Sequence, residues 1–250
     1  MSSSARTRGT LRVGFQRNTP PFSSAAPGRA AFEPVGYSVD LACLVLAKVF
    51  AGTRVPFLSP VEVTSTTREN LLTEGRIDIE CGSTTITEAR RARCAFSVPI
   101  FRTAHRIAVK PGAANGTRRV VGIQGSTSQV ALEAAPDPGF AFTFVGVPSI
   151  GAAFDAFLDD PLVDAMVADE VILRTLLSGD RARDDVTLLD ARFGGDSYGF
   201  MMRRDDPEFV RAVDAALADV FASDAYPALL DKWFADELPE TGSPQRNRHP

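Results

Sequence analysis

The sequence predicts an α/β fold built around a mostly parallel β-sheet. Short segments that alternate apolar and polar residues are followed repeatedly by segments whose apolar residues recur at helical spacing. The breaks between them are rich in Gly, Pro, Ser and Thr, which is the punctuation expected of strand–helix–strand units. The chain is also long enough: 250 residues, 44% hydrophobic and 23% charged, bury a substantial core and suffice for one large or two modest domains.

Residues 11–16 alternate and read as a strand, followed by a loop over 20–34 rich in Ser, Ala, Pro and Gly. Ser38 or Asp40 is placed to cap a helix running through Phe50. Residues 55–63 read as a strand whose length Pro56 and Pro60 limit. A helix is expected over 66–74, a strand over 77–81 and a helix over 87–94. A strand over 106–110 stops at Pro111-Gly112, and 113–119 is turn-rich. A second α/β pattern begins at 120–123 and continues with a helix over 128–134. Strands follow at 142–147 and 165–167, with helices at 154–158 and 171–177. Residues 198–203 read as a strand, Asp206-Pro207 opens a long helix over 208–221, and 227–234 form a final helix. The tail from 242 to 250 reads as disordered, and no internal repeat stands out.

The net charge of −4 offers no footprint for nucleic acid or an anionic membrane surface. Cys43, Cys81 and Cys94 lack metal-ligand spacing and read as buried thiols rather than a disulfide framework. Met1 to Gly9 is polar and basic, without the apolar run of a signal peptide, and no segment reaches the ~18 apolar residues of a membrane helix. No nucleophile elbow, phosphate loop or zinc signature is present. Asp78, Glu80, Glu88 and the pairs Asp159-Asp160, Asp184-Asp185 and Asp205-Asp206 read as solvated faces or helix starts. No catalytic residue, cofactor or metal is expected.

One stretch carries specific chemistry. Residues 76–80 alternate like a short strand, a small-residue turn presents the hydroxyls of Ser83, Thr84 and Thr85, and a helical segment brings Arg90 back towards them. Hydroxyls and backbone N–H groups at a helix start, with a guanidinium nearby, suit a carboxylate ligand.

This stretch resembles the ligand loop of solute-binding proteins of ABC importers for polar amino acids, and most of all their glutamate- and aspartate-binding branch. Further motifs follow in the same order: Leu11-Arg-Val-Gly-Phe15 with Pro20-Pro-Phe22, Gly36-Tyr-Ser-Val-Asp-Leu41, Thr64-Ser-Thr-Thr-Arg68, Gln124-Gly-Ser-Thr-Ser128, Asp164-Ala-Met-Val-Ala-Asp169, Ser197-Tyr-Gly-Phe-Met-Met202 and Trp233-Phe234. The resemblance implies a two-lobed periplasmic-binding-protein-like fold of type II. Lobe 1 would take residues 11–109 and 198–240 and lobe 2 residues 110–197, between disordered ends at 1–10 and 241–250. Two hinge strands near 106–110 and 198–202 would join the lobes, and ligand would favour a closed state.

Carried over residue by residue, the resemblance assigns Arg90, Thr85 and a backbone N–H to a ligand α-carboxylate, and Asp169 with Ser83 to its α-ammonium; Glu170 is a rival for Asp169. Ser126 and Thr127, at a helix start, would contact the α-carboxylate as well as cap their helix. Ser65 and Arg68 match the grip on a distal carboxylate, with Gln16 or Arg17 in the first loop. The branch carries an Arg where Gln16 stands and a His near Ser149 or Ile150, where this chain has none, so glutamine and asparagine remain open beside glutamate and aspartate.

The resemblance also implies an extracytoplasmic, monomeric receptor that binds a small amino acid, delivers it to a membrane ABC permease and contacts no nucleic acid. Its leader would be absent from this chain. An enzyme on the same scaffold, similar to cyclohexadienyl dehydratases, is the alternative, with Glu170 its one candidate acid or base. A sensor domain of a larger receptor is another.

Overall fold

The structure is a computed structural model that describes residues 9–52, 56–112, 117–135 and 139–235. The two expected disordered ends fall largely outside these residues, although Thr10 already belongs to the first strand.

The first half of the chain forms β1 (Thr10–Gln16), β2 (Asn18–Thr19), β3 (Ser23–Ala25), β4 (Pro34–Val35), α1 (Tyr37–Val49), β5 (Phe57–Val63), α2 (Arg68–Thr73), β6 (Ile79–Glu80), α3 (Glu88–Arg91) and β7 (Ala95–Phe96). It continues through β8 (Phe101–Val109), β9 (Arg118–Ile123), α4 (Thr127–Ala134), β10 (Phe142–Val147), α5 (Ile150–Asp159), β11 (Ala165–Asp169) and α6 (Glu170–Ser178). It ends with β12 (Thr187–Leu188), β13 (Phe193–Tyr198), β14 (Met201–Met202), α7 (Pro207–Phe221) and α8 (Ala225–Phe234).

These elements make two compact units. Unit 1 runs to Arg17, then over Pro21–Arg102, and resumes at Ser197; unit 2 takes Asn18–Pro20 and Thr103–Asp196. The chain passes between them within β8 and again within β13. The sequence reading put these passages at 109/110 and 197/198. Strand β8 starts earlier than its apolar alternation because Phe101 is anchored in the aromatic core of unit 1.

The sheet of unit 1 has the order β5-β1-β6-β14-β7. Strands β5, β1 and β6 are parallel, as strand–helix–strand connections require, whereas β14 is antiparallel to both β6 and β7. Both units are therefore mixed rather than nearly all parallel, because each must also pair the strands that carry the chain out and back. Phe22, Tyr37, Phe101, Tyr198 and Phe234 form the aromatic core, with ring centroids 5.1 Å apart for Phe22–Tyr198 and 5.0 Å for Tyr37–Phe234. Edge-on and tilted rings of this kind add to the apolar area they bury.

Helix α1 starts without the Ser or Asp cap expected of it. Gly36 is the N-cap at φ 146°, and the carbonyls of Pro21 and Phe22 accept from the N–H groups of Tyr37 and Ser38 at 2.8 and 3.0 Å. Ser38 instead donates to the carbonyl of Gly82 at 3.2 Å. Asp40 reaches α8, where it accepts from Lys232 and Trp233 at 2.7 and 2.8 Å. Cys81 and Cys94 are buried free thiols, but Cys43 is exposed on α1, against expectation.

In unit 2 the sheet order is β10-β9-β11-β8-β12, with β13 also paired to β8. Strands β10, β9 and β11 are parallel, and β8 and β12 are antiparallel. Helix α4 begins at a capped turn: Gly125 adopts φ 71° and the Ser126 hydroxyl accepts from the Gln129 N–H. The strand expected over 198–203 is broken into the end of β13 and the two-residue β14. At Gly199 a Cβ would come within 2.9 Å of the Ile86 side chain and 3.3 Å of the Ser97 carbonyl, so the break is closely packed.

Candidate functional site

The loop after β6 carries three hydroxyl side chains in a row, Ser83, Thr84 and Thr85. Thr85 is buried and forms an isolated antiparallel bridge with Tyr198, which fixes the loop, and Thr84 donates to Glu80 Oε2 at 2.6 Å. Ser83, which precedes both, is half-buried. Thr87 caps the short helix α3 by accepting from the Arg90 N–H. Arg90 then turns back, donating from Nη1 to the Thr85 carbonyl at 2.8 Å, with its Nε 3.4 Å from Glu69 Oε1. These contacts aim the guanidinium; the expected helix over 87–94 shrinks to a single turn that delivers it.

Arg68 opens α2, just after a turn locked by reciprocal bonds between Thr64 and Thr67. Only 5% of Arg68 is exposed, and its Nε has no hydrogen-bond partner in the protein. Burial pushes its pKa down; Glu80 opposes that and Arg90 adds to it. Glu80 is fully buried, and burial pushes its pKa up against Arg68 and the Thr84 bond. Its Oε1, the Ser65 hydroxyl and Gln16 Oε1 also lack protein partners. Buried polar atoms are nearly always hydrogen-bonded, so a group of four left over in one unit marks where a polar ligand finds donors and acceptors. Gly82 keeps this corner open: a Cβ there would lie 2.5 Å from Glu80 Oε1 and 3.3 Å from Gln16 Oε1.

Some expectations need correction. Glu80 and Asp78 are not solvated acids. Asp78 is buried and accepts from the Arg12 backbone N–H and side chain at 2.8 and 3.0 Å. Arg17 is turned to the surface, where it pairs with Glu62 at 2.6 Å and lies over the Phe32 ring. Gln16, not Arg17, contributes to the orphaned group.

In unit 2, Asp169 ends β11 at the N-cap of α6, but its side chain makes no capping bond. The β8–β11 register sets it opposite His105, whose Nδ1 lies 3.2 Å from Asp169 Oδ1. The other ring nitrogen of His105 is 3.3 Å from Asp196 Oδ2 on β13, and Ser128 Oγ on α4 is 3.0 Å from Nδ1. His105 is buried. Burial alone would lower its pKa, but the bonds to Asp169 and Asp196 prevail and raise it to about 9, so the ring is an imidazolium at neutral pH. Ser128 thus joins the start of α4, where Ser126 and Thr127 lie, to Asp169. Ser149 caps α5 where the resemblance implies a histidine.

Glu170 accepts from Arg106, Arg174 and Arg192 at 3.0, 2.9 and 2.6 Å. Burial works to raise its pKa, but the three guanidiniums hold it down at about 2. It is therefore a structural anchor, neither an ammonium partner nor a proton donor. His105, Asp196, Ser128, Glu69 and the buried state of Glu80 were not anticipated from the sequence. The one signal was the isolated His in an apolar strand, which pattern alone reads as core.

Chemically, unit 1 offers two guanidiniums and a hydroxyl loop suited to carboxylates, and unit 2 a carboxylate suited to an ammonium beside a capped helix start. Comparison with known proteins agrees with that chemistry. Residues 11–236 match the bacterial extracellular solute-binding proteins, family 3. The L-glutamate/L-aspartate-binding protein of Pseudomonas aeruginosa is 32% identical over 94% of this chain and 80% of that protein. The glutamate/aspartate import solute-binding protein of Escherichia coli is 30% identical over 92% of this chain and 78% of its own length. Among solved structures, an ancestral amino acid-binding protein described as a precursor of cyclohexadienyl dehydratase has a TM-score of 0.78 at 26% identity, covering 92% of this chain and 98% of its own. The fold is thus the two-lobed α/β fold of amino-acid-binding proteins, and this chain belongs to the bacterial extracellular solute-binding proteins, family 3.

Proposed function

We propose that this protein is an extracytoplasmic receptor that captures a polar L-amino acid, glutamate or aspartate first, and delivers it to a membrane ABC permease. The observation that carries the reading is the buried Arg68, whose Nε lacks a partner beside the equally orphaned Ser65, Gln16 and Glu80 oxygens, in a chain 32% identical to a glutamate/aspartate-binding protein. Arg90 and Thr85 hold the α-carboxylate, joined by Ser126 or Thr127. Asp169 and Ser83 meet the α-ammonium. Arg68, Ser65 and Gln16 hold the end of the side chain. The receptor works as a monomer and contacts no nucleic acid. No helix among the described residues is long and apolar enough to cross a membrane.

A neutral amide, glutamine or asparagine, is the second reading for the ligand. It is favoured by Glu80 packed against Arg68, which already offsets part of that charge, and by Gln16 where the related branch carries an Arg. The enzyme reading has lost its candidate acid, since Glu170 is held ionised by three arginines.

A thermal-shift panel of amino acids identifies the ligand, and titration calorimetry of Arg90→Ala tests the site. Truncating one partner of a desolvated charge pair costs roughly 2–5 kcal/mol, so Arg90→Ala should bind at least about 30-fold more weakly while keeping its fold. Affinity within about threefold of the parent would exclude Arg90 from the site.

A further inference from the structure

We propose that His105 is a positioning residue for ligand binding: lying between Asp169 and Asp196, it keeps the Asp169 carboxylate ionised and fixed for the ligand ammonium. This inference rests on the reading that Asp169 meets that ammonium.

The geometry carries it. One oxygen of Asp169, one of Asp196 and a ring nitrogen of His105 all lie within 4.8 Å of one another. Two carboxylates that close, with side chains only 14% and 15% exposed, repel strongly unless a cation lies with them. The imidazole lies within ion-pair reach of both, Nδ1 at 3.2 Å from Asp169 Oδ1 and Nε2 at 3.3 Å from Asp196 Oδ2; the Nδ1 hydrogen bond itself is made with Ser128, which leaves Asp169 Oδ1 without a hydrogen bond in the protein. That is the arrangement of a cation bridging two anions. The triad then carries a net charge of one negative, the complement of one ammonium.

Among the described residues, the groups against the ring include Asp169 from β11, Asp196 from β13, the uncharged Ser128 hydroxyl from α4 and the Phe193 ring with its centroid 6.0 Å away. Gly194 closes the far side, where a Cβ would lie 2.9 Å from the imidazole. Asp169 makes no capping bond at α6, and its Oδ1 is left without a hydrogen bond in the protein, 3.2 Å from the His105 ring.

The test is titration calorimetry with L-glutamate as the probe between pH 5.5 and 8, on the parent and on Asp169→Asn, His105→Gln and His105→Gln/Asp196→Asn. The parent should show a nearly flat affinity. In His105→Gln the two carboxylates face each other without a cation and share a proton, so affinity should fall about tenfold or more towards pH 5.5. Removing Asp196 as well should restore the flat profile, a rescue that a merely structural histidine would not give. If Asp169→Asn loses binding but His105→Gln keeps the parent affinity and profile, the proposal is overturned and the binding reading survives. If Asp169→Asn binds as the parent does, the assignment of Asp169 to the ammonium fails and the proposal falls with it. If His105→Gln does not fold, imidazole NMR of the full-length protein decides, with His249→Gln removing the other histidine signal. A His105 ring that titrates above about pH 8 supports the bridge, and one that titrates near its ordinary value of about 6.5 overturns it.

Discussion

Arg68 and Arg90 are held in opposite ways, and the difference predicts how each fails. Arg90 is oriented by the Thr85 carbonyl and Glu69, so in the proposed site its loss should weaken every amino-acid ligand alike. Arg68 is buried with its Nε unsatisfied, so in the proposed site its loss should discriminate between ligands. Arg68→Leu should cost glutamate far more affinity than glutamine in calorimetry, because on that proposal only glutamate carries a charge for Arg68 to neutralise. Equal losses would mean that Arg68 does not face the ligand side chain. His105 makes a prediction about stability. Its folded pKa of about 9 exceeds its unfolded value of about 6.5, so its stabilisation is complete below about pH 6.5 and is lost as pH rises through 9. The linkage is worth roughly 3 kcal/mol, so the parent should lose stability across that window in denaturant titrations while His105→Gln should not. Arg90, Ser83 and Thr85 were legible in the sequence because they sit in one continuous motif. His105 and Asp196 were not, because only the pairing of β8 with β11 and β13 brings them together.

Among the elements, those whose local chemistry agreed with their packing were legible and those stabilised from afar were not. Strand β10 matches its expected limits, since alternation alone defines it, and Ser126 caps α4 as the Gly-Ser-Thr run suggested. Ser126→Ala should lower stability by about 1 kcal/mol through the lost cap, and should weaken ligand binding if the hydroxyl contacts the carboxylate, whereas a contact through the backbone N–H would survive it. Helix α1 is the opposite case. Its first N–H groups are satisfied by Pro21 and Phe22, far back in the chain, so no capping side chain is needed and none is used. That arrangement depends on Gly36, where a Cβ would collide with the Phe22 carbonyl. Gly36→Ala should therefore destabilise the protein by more than the ~1 kcal/mol of an ordinary glycine substitution, read as a clear drop in melting temperature. Helix α3 was overestimated because Ala, Arg and Glu favour a helix intrinsically, while the pull of Arg90 towards Thr85 and of Cys94 into the core ends it after one turn.

At the scale of the whole molecule, ligand binding and stability are one quantity. An amino acid that binds only the folded protein stabilises it by about 4 kcal/mol at a thousand times its Kd, so the true ligand should raise the melting temperature steeply with concentration, while leucine and lysine should leave it unchanged. The parallel strand–helix units were legible from alternation, but the division into two units was legible only through the family resemblance, because it depends on which distant strands pair. Strand β14 shows why. It lies between β6 and β7 in unit 1, yet it is made only after all of unit 2. The gap from β7 to β14 is roughly 100 residues, about 5–20 s of translation at typical rates. Throughout that interval the first strands lack their central partner, and Phe22 and Tyr37 lack Tyr198 and Phe234. A nascent chain therefore cannot close its first core until its last segment has emerged.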